Sequence, residues 1–166
     1  MDKINHFSKE PEDRTAVDNI LRVNHGNQMR LNLMADAKAN IMITVASVVF
    51  SIAIANLDNE LVKWPLLTFA FGCFFALLFA IFAIIPKTDY PKDGTGDIDR
   101  KSPLFNPLFF GHFAHLPIEE YKEDYAETLM TDDSVYDAMA GDIYGQGKVL
   151  ALRKYKFLKW SYMSFL

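Results

Sequence analysis

Between residues 39 and 85 the only charged side chains are those of a short turn, residues 58–63. On either side of it stand two apolar runs, ANIMITVASVVFSIAIANL (39–57) and WPLLTFAFGCFFALLFAIFAII (64–85). A bilayer's hydrocarbon core is about 30 Å thick and a helix rises about 1.5 Å per residue, so roughly 20 apolar residues suffice to cross it. Both runs meet that length and are apolar around the whole helical circumference, leaving no stripe for water. They predict a transmembrane hairpin. The alternative is a helical hairpin buried in a soluble bundle, whose cores rarely supply two such runs in succession.

The hairpin limits what the remainder can be. Seventeen Lys and Arg against 21 Asp and Glu give a net charge of -4, which argues against a broad basic surface for nucleic-acid polymers. A single nucleotide phosphate needs only one or two cations and stays within reach. Cys73 is the only cysteine and lies in the second run, so no disulfide framework or cysteine-based zinc site is expected. The long polar segment before the first run does not read as a secretory leader. Lys3, Lys9, Arg14, Arg22, Arg30 and Lys38 precede the hairpin and Lys87, Lys92, Arg100 and Lys101 follow it, whereas its turn holds only Lys63. The bias predicts that both ends face the cytoplasm, with Trp64 at the outer interface.

Residues 1–10 read as unstructured, and Pro11, Glu12 and Asp13 as a helix start. No proline follows until after Leu57, so one helix is predicted to run from residue 12 into the membrane, with residues 1–38 cytoplasmic. Val17, Ile20, Leu21, Leu31, Met34 and Ala35 recur at helical spacing and predict its apolar face. Asn24 and Gln28 fall on that face with Asn27 beside it. Such amides either set register and oligomer state, as a buried asparagine does in coiled coils, or line a polar pocket able to read a base edge. Asp36 and Lys38 stand at the membrane threshold, where ionisable groups are costly unless partnered, and each is expected to pair with another element.

Pro86 ends the second membrane helix, and the charged, turn-rich KTDYPKDGTGDIDRKSP reads as a linker. Asp93, Asp97 and Asp99 would repel a phosphate from Gly94 and Gly96, and their spacing is not that of a calcium loop. Phe105, Phe109, Phe110 and Phe113 must be covered by the helical body or by lipid. His112 and His115 with Glu119 and Glu120 lack the spacing of a metal motif, so no metal or cofactor is expected. Helices are predicted over 117–131, opened by Pro117, and over 134–158, capped by Asp132 or Asp133. Gly141 and Gly145 would admit a close backbone neighbour. Arg153, Lys154, Lys156 and Lys159 form a basic collar before WSYMSFL, where residues 160–166 are either an interfacial foot or the start of a third membrane helix.

Taken together, ADAKANIMITVAS (35–47), NPLFFGHF (106–113), EEY (119–121) and VYDAMAGDIYGQGKVLALRKYKFLKWSYMSF (135–165) resemble the transmembrane effector family of Pycsar, the pyrimidine cyclase system for antiphage resistance. The resemblance implies a bacterial inner-membrane effector without enzymatic activity. A partner cyclase would make cyclic CMP or cyclic UMP on infection, and the effector would then impair the membrane in abortive infection. Members of the family continue from the equivalent of Ser161–Phe165 into a further apolar helix.

The expected architecture is therefore all-α: a single membrane domain over 1–166, with the hairpin attached to a cytoplasmic helical bundle that includes residues 86–159. No catalytic constellation is read from the residues, so action must come through shape or assembly, and a homo-oligomer is expected. Arg30, Lys38, Arg153 or Lys154 would hold a cyclic nucleotide's charge, Asn24, Asn27 or Gln28 the base edge, and a Tyr or Phe the ring face. Two other readings stand beside this one. One is a ligand-free membrane scaffold that recruits a partner; the other is a small channel lined by Thr44, Ser47 and Ser51, whose small side chains equally suit helix packing.

Overall fold

The computed structural model describes residues 14–86, 91–92, 94, 96–102 and 104–166. The expected disorder of residues 1–10, the helix start at Pro11–Asp13, and Lys3, Lys9, Lys87 and Asp93 lie outside the described residues. Among those described, the chain is all-helical, with one isolated antiparallel bridge, Lys92 to Ile98, and no strand. Its helices are α1 (Arg14–Ala55), α2 (Lys63–Ile84), α3 (Phe110–Phe113), α4 (Ile118–Thr128), α5 (Asp132–Val149) and α6 (Tyr155–Phe165), the last two joined by a π-helical stretch, Leu150–Lys154. The chain divides into two compact units, one of Met1–Asn27 with Pro86–Gln146, the other of Gln28–Ile85 with Gly147–Leu166.

In the second unit α1 and α2 meet through small residues. Ala39, Met42 and Ala46 of α1 and Ala76, Ala80 and Ala83 of α2 are buried in two apolar clusters, while Val45, Val48, Ile52, Phe71, Phe74 and Phe82 face outward. A water-soluble hairpin does the opposite, hiding its large apolar side chains. Small residues at the seam let backbones approach closely, the arrangement favoured where the surroundings are already apolar. Both helices are long and apolar enough to cross a membrane, yet only 22% and 28% of their most apolar stretches are buried.

Helix α6 runs antiparallel along α2: Phe157 meets Phe82, Trp160 meets Phe79 and Phe165 meets Phe69. The fully buried Ser161 donates its hydroxyl hydrogen to the Ala76 carbonyl at 2.7 Å, fixing the register. At Gly72 an added Cβ would lie 2.7 Å from the Ser164 carbonyl oxygen, so glycine is needed there for the two backbones to come this close. Helical structure continues past the expected span of residues 134–158 to Phe165, which either expectation for residues 160–166 allows. The π stretch explains the continuation. Leu150, Lys154 and Leu158 all face inward at four-residue intervals, wider than the 3.6 of an α-helix, and the wider π turn absorbs the surplus.

In the first unit α5 is capped by Thr131. Its hydroxyl oxygen accepts from the Ser134 amide at 3.2 Å, while the Ser134 hydroxyl oxygen accepts from the Thr131 amide at 3.3 Å. The two bonds make a reciprocal capping box. Asp132 and Asp133, expected as caps, instead occupy the first helical turn, where acids suit the positive end of the dipole. Three of the four expected phenylalanines are covered from within, Phe105 and Phe109 packing on the His112 ring and Phe113 on Tyr121 of α4, whereas Phe110 is 55% exposed. Part of the expected linker is also pinned, because Arg100 reaches Asp124 at 2.7 Å and Glu120 at 3.2 Å on α4. Those acids raise the guanidinium's already high pKa further, the Asp124 hydrogen bond most of all.

Candidate functional site: a polar seam on helix α1

The inward face of α1 follows a seven-residue repeat: Leu21, His25, Gln28, Asn32, Ala35, Ala39, Met42 and Ala46 are all half-buried or buried. This is coiled-coil spacing, with the a and d positions largely polar in its first half and small in its second. It corrects the apolar face expected from Val17, Ile20, Leu21, Leu31, Met34 and Ala35. Val17, Leu21 and Ala35 do face inward, but Ile20, Leu31 and Met34 are exposed at 61%, 38% and 51%. Hydrophobic periodicity points to the wrong side there because the inward positions between Leu21 and Ala35 are His, Gln and Asn.

Within the first unit the seam pairs α1 with α5. Arg14 pairs with Asp132, and the Tyr136 hydroxyl donates to Asp18 at 3.0 Å. Both pairs are separated by 118 positions, so the two helices run parallel and in register. Further along, Asp142, only 5% exposed, lies 3.3 Å from His25 Nδ1 and accepts from Gln146 Nε2 at 2.7 Å. Burial pushes the Asp142 carboxyl above its ordinary pKa, opposed in part by His25 and Gln146. The Tyr136 phenol is raised as well, by burial and then by its bond to Asp18.

Next to α5, Asn106 acts as a lock. Its Nδ2 donates to the Ala138 carbonyl at 2.8 Å, its Oδ1 accepts from the Leu108 amide at 2.9 Å, and its own amide donates to His112 Nδ1 at 3.0 Å. His112 is buried, and burial lowers its pKa, in keeping with a neutral ring that accepts at Nδ1. Gly141 faces Asn106 closely, an added Cβ meeting Nδ2 at 3.2 Å, whereas Gly145 has open space.

Within the second unit the seam is continued by Gln28, whose amide lies against Gly147 and whose Oε1 is buried without a hydrogen-bond partner. Two turns on, Asp36 pairs with Lys154 of the π stretch at 2.7 Å, again 118 positions apart, and Lys38 stands 6.0 Å above the Tyr155 ring. Asp36 and Lys38 thus each find a partner on another element, as their place at the threshold requires.

The sequence model described as the Pycsar effector protein domain matches residues 19–166. The chain belongs to that family. No curated protein and no solved structure matches it. As a Pycsar effector it has a part in antiphage defence, downstream of a partner cyclase and its cyclic-nucleotide signal rather than as a cyclase. The segments that resemble the family are those that build the seam and the lock: Asp36 and Ala39 in the first, Asn106 and His112 in the second, Tyr136, Asp142 and Lys154 in the last.

Of the residues expected to hold a ligand, the Pycsar effector places Gln28, Lys38 and Lys154 at the seam and its margin, with Arg153 half-buried in the π stretch. Asn24, Asn27 and Arg30 are exposed. Sequence reasoning passes over His25, Asp142 and Gln146, for which the GDIYGQG segment is the available signal. The Thr44 and Ser51 hydroxyls donate to the carbonyls of Asn40 and Ser47 on their own helix, which satisfies them without a lining role.

Proposed function

We propose that this chain is a non-enzymatic effector of the bacterial inner membrane, with both hairpin ends cytoplasmic, that cyclic CMP or cyclic UMP triggers to impair membrane integrity in abortive infection. The observation that supports a ligand at the seam is the Gln28 amide, which stands with a buried and unpartnered oxygen two turns from the Asp36–Lys154 ion pair. An unsatisfied buried acceptor costs about 1–3 kcal/mol, and a ligand donor recovers that cost. A pyrimidine edge offers such donors. The ligand's phosphate would compete with Asp36 for Lys154, with Arg30, Lys38 and Arg153 as further cations, and Tyr155 offers a ring face beneath Lys38. Asn24 and Asn27 belong to the same expected set on α1.

Binding shifts a conformational equilibrium only if it favours one arrangement. Breaking Asp36–Lys154 changes the pairing of α1 with the π stretch, and α1 itself runs unbroken to Ala55. Assembly into a homo-oligomer would convert that change into membrane damage. A second reading has its own support: most seam groups already satisfy one another, as register-setting residues of a ligand-free scaffold do. Calorimetry of the detergent-solubilised full chain against cyclic CMP, UMP, AMP and GMP decides. Pyrimidine-selective binding that Gln28→Leu abolishes is expected; a folded chain that binds none of the four favours the scaffold.

A further inference from the structure

The π stretch and α6 carry more positive charge than the acids of the second unit neutralise. Throughout the second unit the acids are Asp36, Asp58 and Glu60, and the last two sit in the hairpin turn, away from Lys154. Asp36 is taken by Lys154. Arg153, Lys156 and Lys159 therefore follow one another at i, i+3 and i+6 with no acidic partner in that unit, and like charges at this spacing repel. Their setting is equally unusual for water. Lys156 and Lys159 share the outward face of the helix with Leu152, Trp160 and Met163, exposed at 63%, 47% and 59%.

Leu158 packs with Ala39 and Ala83, and Trp160 lies 6.3 Å from Phe79, so Lys159 is level with apolar residues a turn inside the Ile84 end of α2. A helical Cα–Cβ bond tilts toward the helix N-terminus, which aims both lysines back toward Arg153 and the charged end. Cations that snorkel from an apolar stripe toward a polar boundary meet the phosphate layer of a bilayer.

We infer that Arg153, Lys156 and Lys159 form a binding site for the phosphate headgroups of anionic phospholipids. The site holds α6 against the membrane boundary, and it rests on the membrane reading given above. The ligand is a phosphodiester carried on acyl chains: the phosphate answers the three cations, and the chains cover Leu152, Trp160 and Met163. A juxtamembrane basic residue contributes about fivefold in affinity for anionic lipid, so three together contribute about a hundredfold.

The test uses the full chain in neutral detergent micelles. Its thermal midpoint is followed by helical circular dichroism as phosphatidylglycerol, phosphatidylcholine or inorganic phosphate is added. A rise in midpoint with phosphatidylglycerol alone is expected, reduced at high salt and lost in Arg153→Gln/Lys156→Gln/Lys159→Gln with helicity retained. If the triple variant does not fold, Lys156→Gln/Lys159→Gln alone must weaken the lipid response at least tenfold. An equal response to phosphatidylcholine, an equal response to inorganic phosphate, or no difference between wild type and variants overturns the inference. Recovery of the native chain without detergent would instead overturn the membrane reading itself.

Discussion

Replacing Gly72 by alanine tests the docking of α6 on α2 with one methyl group. The new Cβ would stand 2.7 Å from the Ser164 carbonyl oxygen, whereas ordinary van der Waals contact begins at 3.4 Å, so the helices must separate locally by about 0.7 Å, the difference between the two. The obstructing atom is backbone, and no rotamer change can move it aside. The same separation stretches the Ser161–Ala76 hydrogen bond from 2.7 Å to the edge of what counts as one. Overpacking costs typically about 1–3 kcal/mol. An interhelical hydrogen bond in a membrane protein averages about 0.6 kcal/mol, with about 1.7 kcal/mol as its upper range. A loss of about 2 kcal/mol follows, roughly a thirtyfold shift toward the undocked state. Trp160, in contact with Phe79, reports docking through its emission during titration with a denaturing detergent in mixed micelles. Ser161→Ala is expected to lower the midpoint by less, since it removes the hydrogen bond without opening the seam. Should Gly72→Ala unfold at the wild-type midpoint, the close approach of α2 and α6 is wrong.

Three further outcomes are expected. Asp142→Asn removes a carboxyl that burial holds above its ordinary pKa, so in wild type the folded state holds its proton more tightly than the unfolded chain and stability declines as pH rises from about 4 through the folded value; the variant flattens that decline in thermal scans. Asn106→Ala deletes two side-chain hydrogen bonds. At about 1 kcal/mol each, their loss lowers the unfolding free energy by about 2 kcal/mol, which denaturant titration of the full chain measures. Deleting Ala151 removes the residue that the wider turn absorbs: seven α-helical steps from Leu150 to Leu158 come within about 20° of two full turns, so the π stretch should close to α-helix with Leu158 and Ser161 still seated and the docked-state emission of Trp160 retained.

Length and apolarity make the two membrane-sized helices legible, because nothing local competes with an uninterrupted apolar run. The unbroken course of α1 is legible for the same reason, no proline standing in its way. The seam is harder. Asn24 and His25 are neighbours, and only the partner helix decides which turns inward; α5 presents Asp142, and His25 answers it. The amide at Gln28 is legible because it fits either count, 3.5 or 3.6 residues per turn. The π stretch leaves no mark in LALRK, since its cause is the spacing of Leu150, Lys154 and Leu158 against partners far along the chain. His112 reads only as one of a set that lacks metal-motif spacing, and Asn106 only as part of the phenylalanine-rich stretch, yet their work is done by hydrogen bonds that no periodicity describes.

Alanine-on-alanine contact between α1 and α2 carries a consequence for how ions could cross. Backbones drawn together on methyl groups enclose no lumen, and Ala39, Ala46, Ala76 and Ala80 are wholly sealed from solvent. A water-filled path between these two helices of one copy is therefore ruled out in this state. Were copies to assemble around a conduit, as the proposed function has it, its wall would come from the isoleucine, valine and phenylalanine side chains that now look outward, and such a wall wets only when it is pulled apart.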